Sequence, residues 1–328
     1  MTYNEAHEAF TKLFNHEMND DEMRDFLVLN KPGSNTSFEF IAAAAHVMRS
    51  HAIGLHVEPA LRPKLIDIVG TGGDKSGSFN ISSTTAILLA SCGAYVAKHG
   101  SRSVTSKSGS ADVLEHLGIR LDLSLEATST MLEETGFCFM FAQNHHPAMK
   151  FIMPVRKSIP DKTIFNVLGP LTNPAGVQKL LLGVFEKALV PKLAEALKRN
   201  GATSALVVSS KDHLDEISIS DITYAARLEQ GSIREFEIDP QLYGIAKAPF
   251  EAIKGADAEH NGVILRNVLS NKATDAQRDV VAINAAHALV VDGMARDIQD
   301  GLEMVREAIG SGKAMAKLEQ IIAISSKL

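Results

Sequence analysis

The sequence predicts an α/β protein: a small all-helical N-terminal domain, then a larger α/β domain with a mainly parallel central sheet flanked by helices. Three observations carry this. Residues 1 to about 63 show apolar residues only at helical spacing. From Leu65 onward, short apolar runs alternate with helical patterns, which is how a parallel sheet covered by helices reads. Loops rich in Gly, Ser, Thr, Lys and Arg follow those runs, where ligands bind in such sheets.

The elements follow in order. Glu5 to Phe14 is amphipathic at helical spacing. Asp20 is placed to cap a second helix that ends before Lys31-Pro32-Gly33, and Thr36-x-x-Glu39 is a capping-box pattern ahead of FIAAAAHVM. Arg62-Pro63 marks the transition, giving expected domains of 1–63 and 64–328. Expected strands cover 65–69, 94–98, 137–142, 180–185 and 204–209, and expected helices 83–92, 110–118, 125–135 and 188–200. HHPAMKFIMPVRKSIP (145–160) reads as one helix ending at Ile159-Pro160, followed by FNVLGPLTNP, which ends in a Pro/Gly-rich loop. Residues 222–238 read as a hairpin turning near Gln230-Gly231, and about 250–328 as mostly helical.

Composition narrows the function. The 328 residues are 45% hydrophobic and 22% charged, an ordinary globular balance. A net charge of −6 argues against nucleic-acid binding through bulk charge. Cys92 and Cys138 both lie in apolar stretches and no CxxC exists, so neither a disulfide framework nor a zinc site is supported. No signal peptide is visible and no apolar run approaches a membrane span, so the expectation is a cytoplasmic protein with no membrane partner.

The stretch DIVGTGGDKSGSFNISSTTAILLASCGAYVAKHGSRSVTSKSGSAD, from Asp67 to Asp112, is the centre of the chain. Three strand-to-loop edges in succession carry the residues of a phosphate cradle. Glycine lets backbone approach an anion, and helix-start N–H groups point at negative charge. Lys98 and Arg102 can add full positive charge. Neither common phosphate motif is present. A Walker A loop needs Gly before Lys-Ser, where Asp74 stands, and GxGxxG from Gly70 needs Gly where Lys75 stands. His99 tempts as a general base; a hydrogen-bonding loop histidine is the plainer reading. Asp215-Glu216 alone reads as a solvated turn, Arg156 as a surface arginine, and His145-His146 as a pocket wall.

The combination GTGGD, NISS, KHGSR, SKSGSADVLEHLG, MPVRKSI, TIFNVLGPLTNP and LDEIS resembles the anthranilate phosphoribosyltransferases of tryptophan biosynthesis, over about Asp67 to Ser218. The resemblance implies transfer of the phosphoribosyl group of phosphoribosyl diphosphate to the amine of anthranilate. It implies donor contacts at Gly70, Gly73, Asp74, Ser78, Asn80, Ile81, Ser82, Ser83, Lys98, Ser106 and Ser110. Acceptor contacts fall at Gly70, Ser101, His146 and Arg156, with Arg156 anchoring the carboxylate. Mg²⁺, expected as two ions, falls to Ser82, Asp215 and Glu216. Lys98 and Arg156 act by charge and positioning, with no acid or base assigned. Part of 145–175 returns to the helical domain as a wall of the acceptor pocket, and a homodimer is the default.

The chain departs from the family pattern at Ser101, where Asn is usual, at Ser83, where Thr is usual, and at SSKDH before Leu214, where Gly is more usual. Three other readings stay open at this point. They are a pyrimidine nucleoside phosphorylase, a non-enzymatic relative that binds nucleic acid, and a phosphoribosyltransferase with another aromatic acceptor.

Overall fold

A computed structural model describes residues 1–74, 76–103 and 107–328. The chain opens with three helices, α1 (Tyr3–Phe14), α2 (Asp20–Leu29) and α3 (Phe38–Ser50). The α/β part then runs β1 (Leu65–Gly70), α4 (Ile81–Ser91), β2 (Tyr95–Gly100), α5 (Ser110–His116), α6 (Leu125–Thr135) and β3 (Phe137–Phe141). Three shorter helices follow, α7 (Ala142–His145), α8 (Met149–Ser158) and α9 (Phe165–Leu168). The sheet resumes with β4 (Lys179–Gly183), α10 (Val190–Arg199), β5 (Ser204–Ser210), β6 (Thr223–Glu229) and β7 (Ser232–Ile238). Four helices close the chain: α11 (Ala258–Leu269), α12 (Asp275–Asp292), α13 (Ile298–Gly310) and α14 (Lys313–Ser325).

The sheet has seven strands in the order β3-β2-β1-β4-β5-β6-β7. Strands β1 to β5 pair in parallel, and β6 and β7 extend the sheet antiparallel. All five strands expected from the apolar runs form, each within a residue or two. So does the hairpin, where Gln230 and Gly231 take φ of +49° and +75°, the left-handed pair that a two-residue turn requires.

Three local expectations need correction. Asn19, not Asp20, caps α2: its Oδ1 accepts the N–H groups of Asp21 and Glu22, and Glu22 answers onto the Asn19 N–H. Ser37, not Thr36, caps α3, because the Thr36 hydroxyl instead accepts Gly33 N–H and donates to the Lys31 carbonyl. The stretch 145–160 is not one helix. Pro147 cannot donate and disfavours helical backbone at His146, so α7 stops at His145 and α8 starts at Met149.

Two apolar clusters pack the two faces of the sheet. One joins Ile66, Ile68, Leu181 and Leu206 to α4, α5 and the C-terminal helices α11 to α14. The other joins Leu180, Leu182, Ala205 and Val207 to α10, and continues through Phe165 and Leu168 into α1, α2 and α3. The N-terminal helices thus share a core with one sheet face. Among the described residues, no helix is long and apolar enough to cross a membrane.

Candidate active site

Strand order reverses between β1 and β4: β2 and β3 lie on one side, β5 to β7 on the other. A crevice opens at the carboxyl ends of strands at such a reversal. Here the two strands end on Gly70 and Gly183, which face each other in register. The loop after β5 crosses directly over this pair. A Cβ on Gly183 would sit 1.5 Å from the Asp215 carbonyl oxygen, and one on Gly70 would overlap the Asp215 carboxylate. Only bare backbone on both strands lets Asp215-Glu216 settle against the sheet edge. Asp215 Oδ2 then accepts the Gly72 N–H at 2.7 Å. Gly72 and Gly73 hold φ of +64° and +71°, a turn that L side chains resist.

Lys98 does not lie on a solvated loop. It is inside β2, 1% exposed, and its Nζ donates to the Ile68 carbonyl at 2.6 Å and to Ser82 Oγ at 3.2 Å. Burial pushes the Lys98 ammonium down, while the charges of Asp67, Glu216 and Asp215 push it back up. Burial also raises Asp215 to about 7, with the nearby Asp74 charge adding to it. Burial and then Asp215 raise Glu216 well above the usual carboxylate range, opposed by Lys98. Three carboxylates therefore surround one ammonium, and the site gains from an added cation. Among the described residues, no group of three His, Cys, Asp or Glu side chains is arranged to hold a metal alone. Asp215 and Glu216 are the kind of ligand Mg²⁺ takes, one or two carboxylates with the shell completed by phosphate oxygens and water.

Helix α4 starts at the same crevice. Its N-cap, Asn80, makes no capping bond with its side chain, so the first-turn amides are not closed off by it. Ser82 contacts Lys98 from this turn. Its neighbours differ: Ser83 is fully buried with its Oγ unpartnered among the described residues. Ile81 is buried too, and its N–H is taken by the Phe79 carbonyl at 2.7 Å. Ser78 bridges to Lys254, and Ser110 packs on Gly100 at the end of β2. Ser106 lies outside the described residues.

Arg102, just beyond β2, is ion-paired. Its guanidinium fork is already occupied, donating to Glu115 at 2.7 Å and to Asp112 at 3.2 Å. It ties the residues after β2 to α5. Asp112 completes that brace by accepting the N–H groups of Ser103 and Gly109. Ser101 is exposed, its hydroxyl donating to the Arg102 carbonyl.

The family described as the glycosyl transferase family, a/b domain, matches residues 62–315. The anthranilate phosphoribosyltransferase of Xanthobacter autotrophicus is 45% identical over 328 residues, 100% of this chain and 94% of that protein. The chain belongs to the anthranilate phosphoribosyltransferase family. The crystal structure of the enzyme from Thermus thermophilus has a TM-score of 0.92 at 36% identity, covering 99% of this chain and 96% of that one. The Saccharomyces cerevisiae anthranilate phosphoribosyltransferase in complex with PRPP and Mg has a TM-score of 0.88 at 26% identity, covering 100% and 94%.

His99 and His146 lie with ring centroids 5.3 Å apart. His99 Nδ1 is on the Gly169 carbonyl, and both Nε2 atoms are buried without partners among the described residues. Burial lowers His99 to about 3 and His146 to about 4, so both are neutral at ordinary pH. His99 lies inside β2 rather than on a loop, and its ring is held by a backbone carbonyl. His145 faces elsewhere, onto the Ile53 carbonyl at 2.7 Å. Arg156 lies on α8, half-buried over the Phe165 ring at 5.8 Å, and makes no ion pair among the described residues.

Two features escaped the sequence reading. Asp67 is fully buried within β1, its carboxylate accepting Asn173 Nδ2 at 2.8 Å and His99 N–H at 3.3 Å. The signal was an acid inside the apolar run LIDIV. Lys162 stacks its Nζ 3.2 Å over the Phe185 ring and lies beside Gly73. Nothing in the sequence pattern marks that approach.

Proposed function

We propose that this chain transfers the phosphoribosyl group of phosphoribosyl diphosphate to the amine of anthranilate, giving N-(5-phosphoribosyl)anthranilate and diphosphate. The observation that carries the reading is the acidic pair seated on paired glycines at the strand-order reversal, beside Lys98 and Ser82. The donor lies over the Gly70–Asp74 turn and the start of α4. Asp215, Glu216 and Ser82 hold Mg²⁺, as two ions. When bound, the metal neutralises diphosphate oxygens and makes diphosphate a better leaving group.

The protein residues supply the rest. Lys98, aimed by Ile68 and Ser82, sets its charge against the departing oxygens. Gly70, Gly73, Asp74, Ser78, Asn80 and Ser110 shape the cradle. Arg156 holds the anthranilate carboxylate in the bidentate manner that arginine favours, and His146 and Ser101 wall the acceptor. A neutral arylamine is already nucleophilic. With His99 held neutral and its Nδ1 engaged, positioning and charge do the work rather than a strong base. Residues 1–63 with part of 145–175 form the helical unit, residues 64–328 the donor unit, and two copies form a cytoplasmic homodimer.

The test is loss of anthranilate fluorescence with phosphoribosyl diphosphate, with and without Mg²⁺. Magnesium-dependent consumption is expected; no consumption with any divalent metal would reject the reading.

A further inference from the structure

The C-terminal helices take no part in the site described so far, yet one of their residues reaches it. The donor loop Gly77–Asn80 is clamped along its length by the segment ahead of α11. Gly255 N–H donates to the Gly77 carbonyl at 2.8 Å, and Phe79 N–H to the Ile253 carbonyl at 3.1 Å. Ser78 bridges Lys254 between them. The approach is close enough that a Cβ on Gly255 would lie 2.6 Å from Phe79 Cα and 2.7 Å from Asn261 Oδ1.

Asn261, on the first turn of α11, is 2% exposed. Its two amide atoms do different jobs. Oδ1 accepts the Ala256 N–H at 2.8 Å and closes the local turn. Nδ2 donates to Asn80 Oδ1 at 2.9 Å and, at 3.4 Å, to the Ala256 carbonyl, and Ser108 Oγ donates to the same Asn80 oxygen at 3.2 Å. With two donors already on its oxygen, the Asn80 amide is fixed one way round. One of its N–H groups goes to the Ser108 carbonyl at 3.3 Å, and the remaining N–H has no partner among the described residues. An anion needs that polarity: N–H toward phosphate attracts, and a flipped C=O repels.

We infer that Asn261 is a positioning residue for the phosphoribosyl donor, locking the Asn80 amide so that it presents N–H to the donor's anionic oxygens. The inference rests on the donor-site reading above. It extends the site to a residue far along the chain, on a helix that packs against α4 and α5.

The two jobs of Asn261 allow a clean test on the full-length enzyme. Asn261→Asp keeps an oxygen for the Ala256 N–H and removes the donor to Asn80. Asn261→Ala removes both. Donor and anthranilate KM, kcat and the melting temperature are measured for each, alongside wild type. The donor KM of Asn261→Asp should rise about tenfold, the cost of one buried hydrogen bond, with anthranilate KM unchanged, while the melting temperature falls because a carboxylate is buried without a cation beside it. Isothermal titration with phosphoribosyl diphosphate and Mg²⁺ should show the same weakening without turnover. Ser108→Ala, which removes the other lock, should shift the donor KM the same way and carries the test if Asn261→Ala fails to fold. An unchanged donor KM in Asn261→Asp, or equal rises for both substrates, overturns the inference. An inactive wild type would instead reject the functional reading itself.

Discussion

Replacing Gly183 with alanine places one methyl group where the site has no room for it. The added Cβ would stand 1.5 Å from the Asp215 carbonyl oxygen and 3.2 Å from its Cα, whereas ordinary contact begins at 3.4 Å. The obstacle is backbone, so no rotamer change relieves it. Either β4 or the Asp215-Glu216 loop must retreat by about 2 Å, the difference between those distances. The 2.7 Å bond from Gly72 N–H to Asp215 is then lost, and the carboxylates leave the crevice. A misplacement of about 1 Å costs on the order of 10²-fold in rate, so kcat/KM should fall by at least about that factor. Overpacking should cost about 1–3 kcal/mol of stability. The assay is initial rate against Mg²⁺ concentration at saturating anthranilate, with a thermal melt of the same preparation. The magnesium midpoint should rise as well as the rate fall. Wild-type kcat/KM with an unchanged magnesium dependence would refute the placement of the acidic pair over the paired glycines.

Three further outcomes follow from the same geometry. Asp215 is raised from an ordinary 3.8 to about 7, so the folded protein binds a proton that the unfolded chain releases. The stability this contributes is complete below about pH 4 and lost as pH rises to about 7. Melts of metal-free protein should show that loss, and Asp215→Asn should reduce it, with the raised Glu216 and Asp67 keeping part of the slope; identical slopes would count against the raised acid. Arg156→Ala should raise the anthranilate KM by about 30- to 160-fold, from about 2–3 kcal/mol of charge-assisted hydrogen bonding, and leave the donor KM alone. Equal changes in both would remove its assigned role. Asn173→Ala strips the donor from the Asp67 carboxylate and from the Ala97 carbonyl, and should cost about 2–4 kcal/mol in chemical denaturation; an unshifted midpoint would contradict that network.

Much of this architecture was legible in the order of residue types. The runs LIDIV and ALVVSS read as buried strands because a two-faced apolar segment has no other short home, and Gln230-Gly231 marked its hairpin through turn chemistry. Where caps were misplaced, several candidate side chains competed within one or two residues, and local hydrogen bonding chose Asn19 and Ser37. Which of two adjacent polar residues turns inward is likewise not a matter of type. Ser82 meets Lys98, while Ser83 is fully buried.

Residue order along the chain sufficed for the strands, the helices and the glycine-rich loops, because periodicities of two and 3.6 residues act over a few neighbours. It placed the candidate chemistry at strand ends for the same reason. Only the assembled sheet decided that Gly70 and Gly183 stand side by side beneath Asp215, that Lys98 is buried and Arg102 is spent on Glu115, and that Asn261 reaches Asn80. Those facts depend on which strands neighbour each other and on which charges lose their water, and both are set by contacts between residues far apart in the chain.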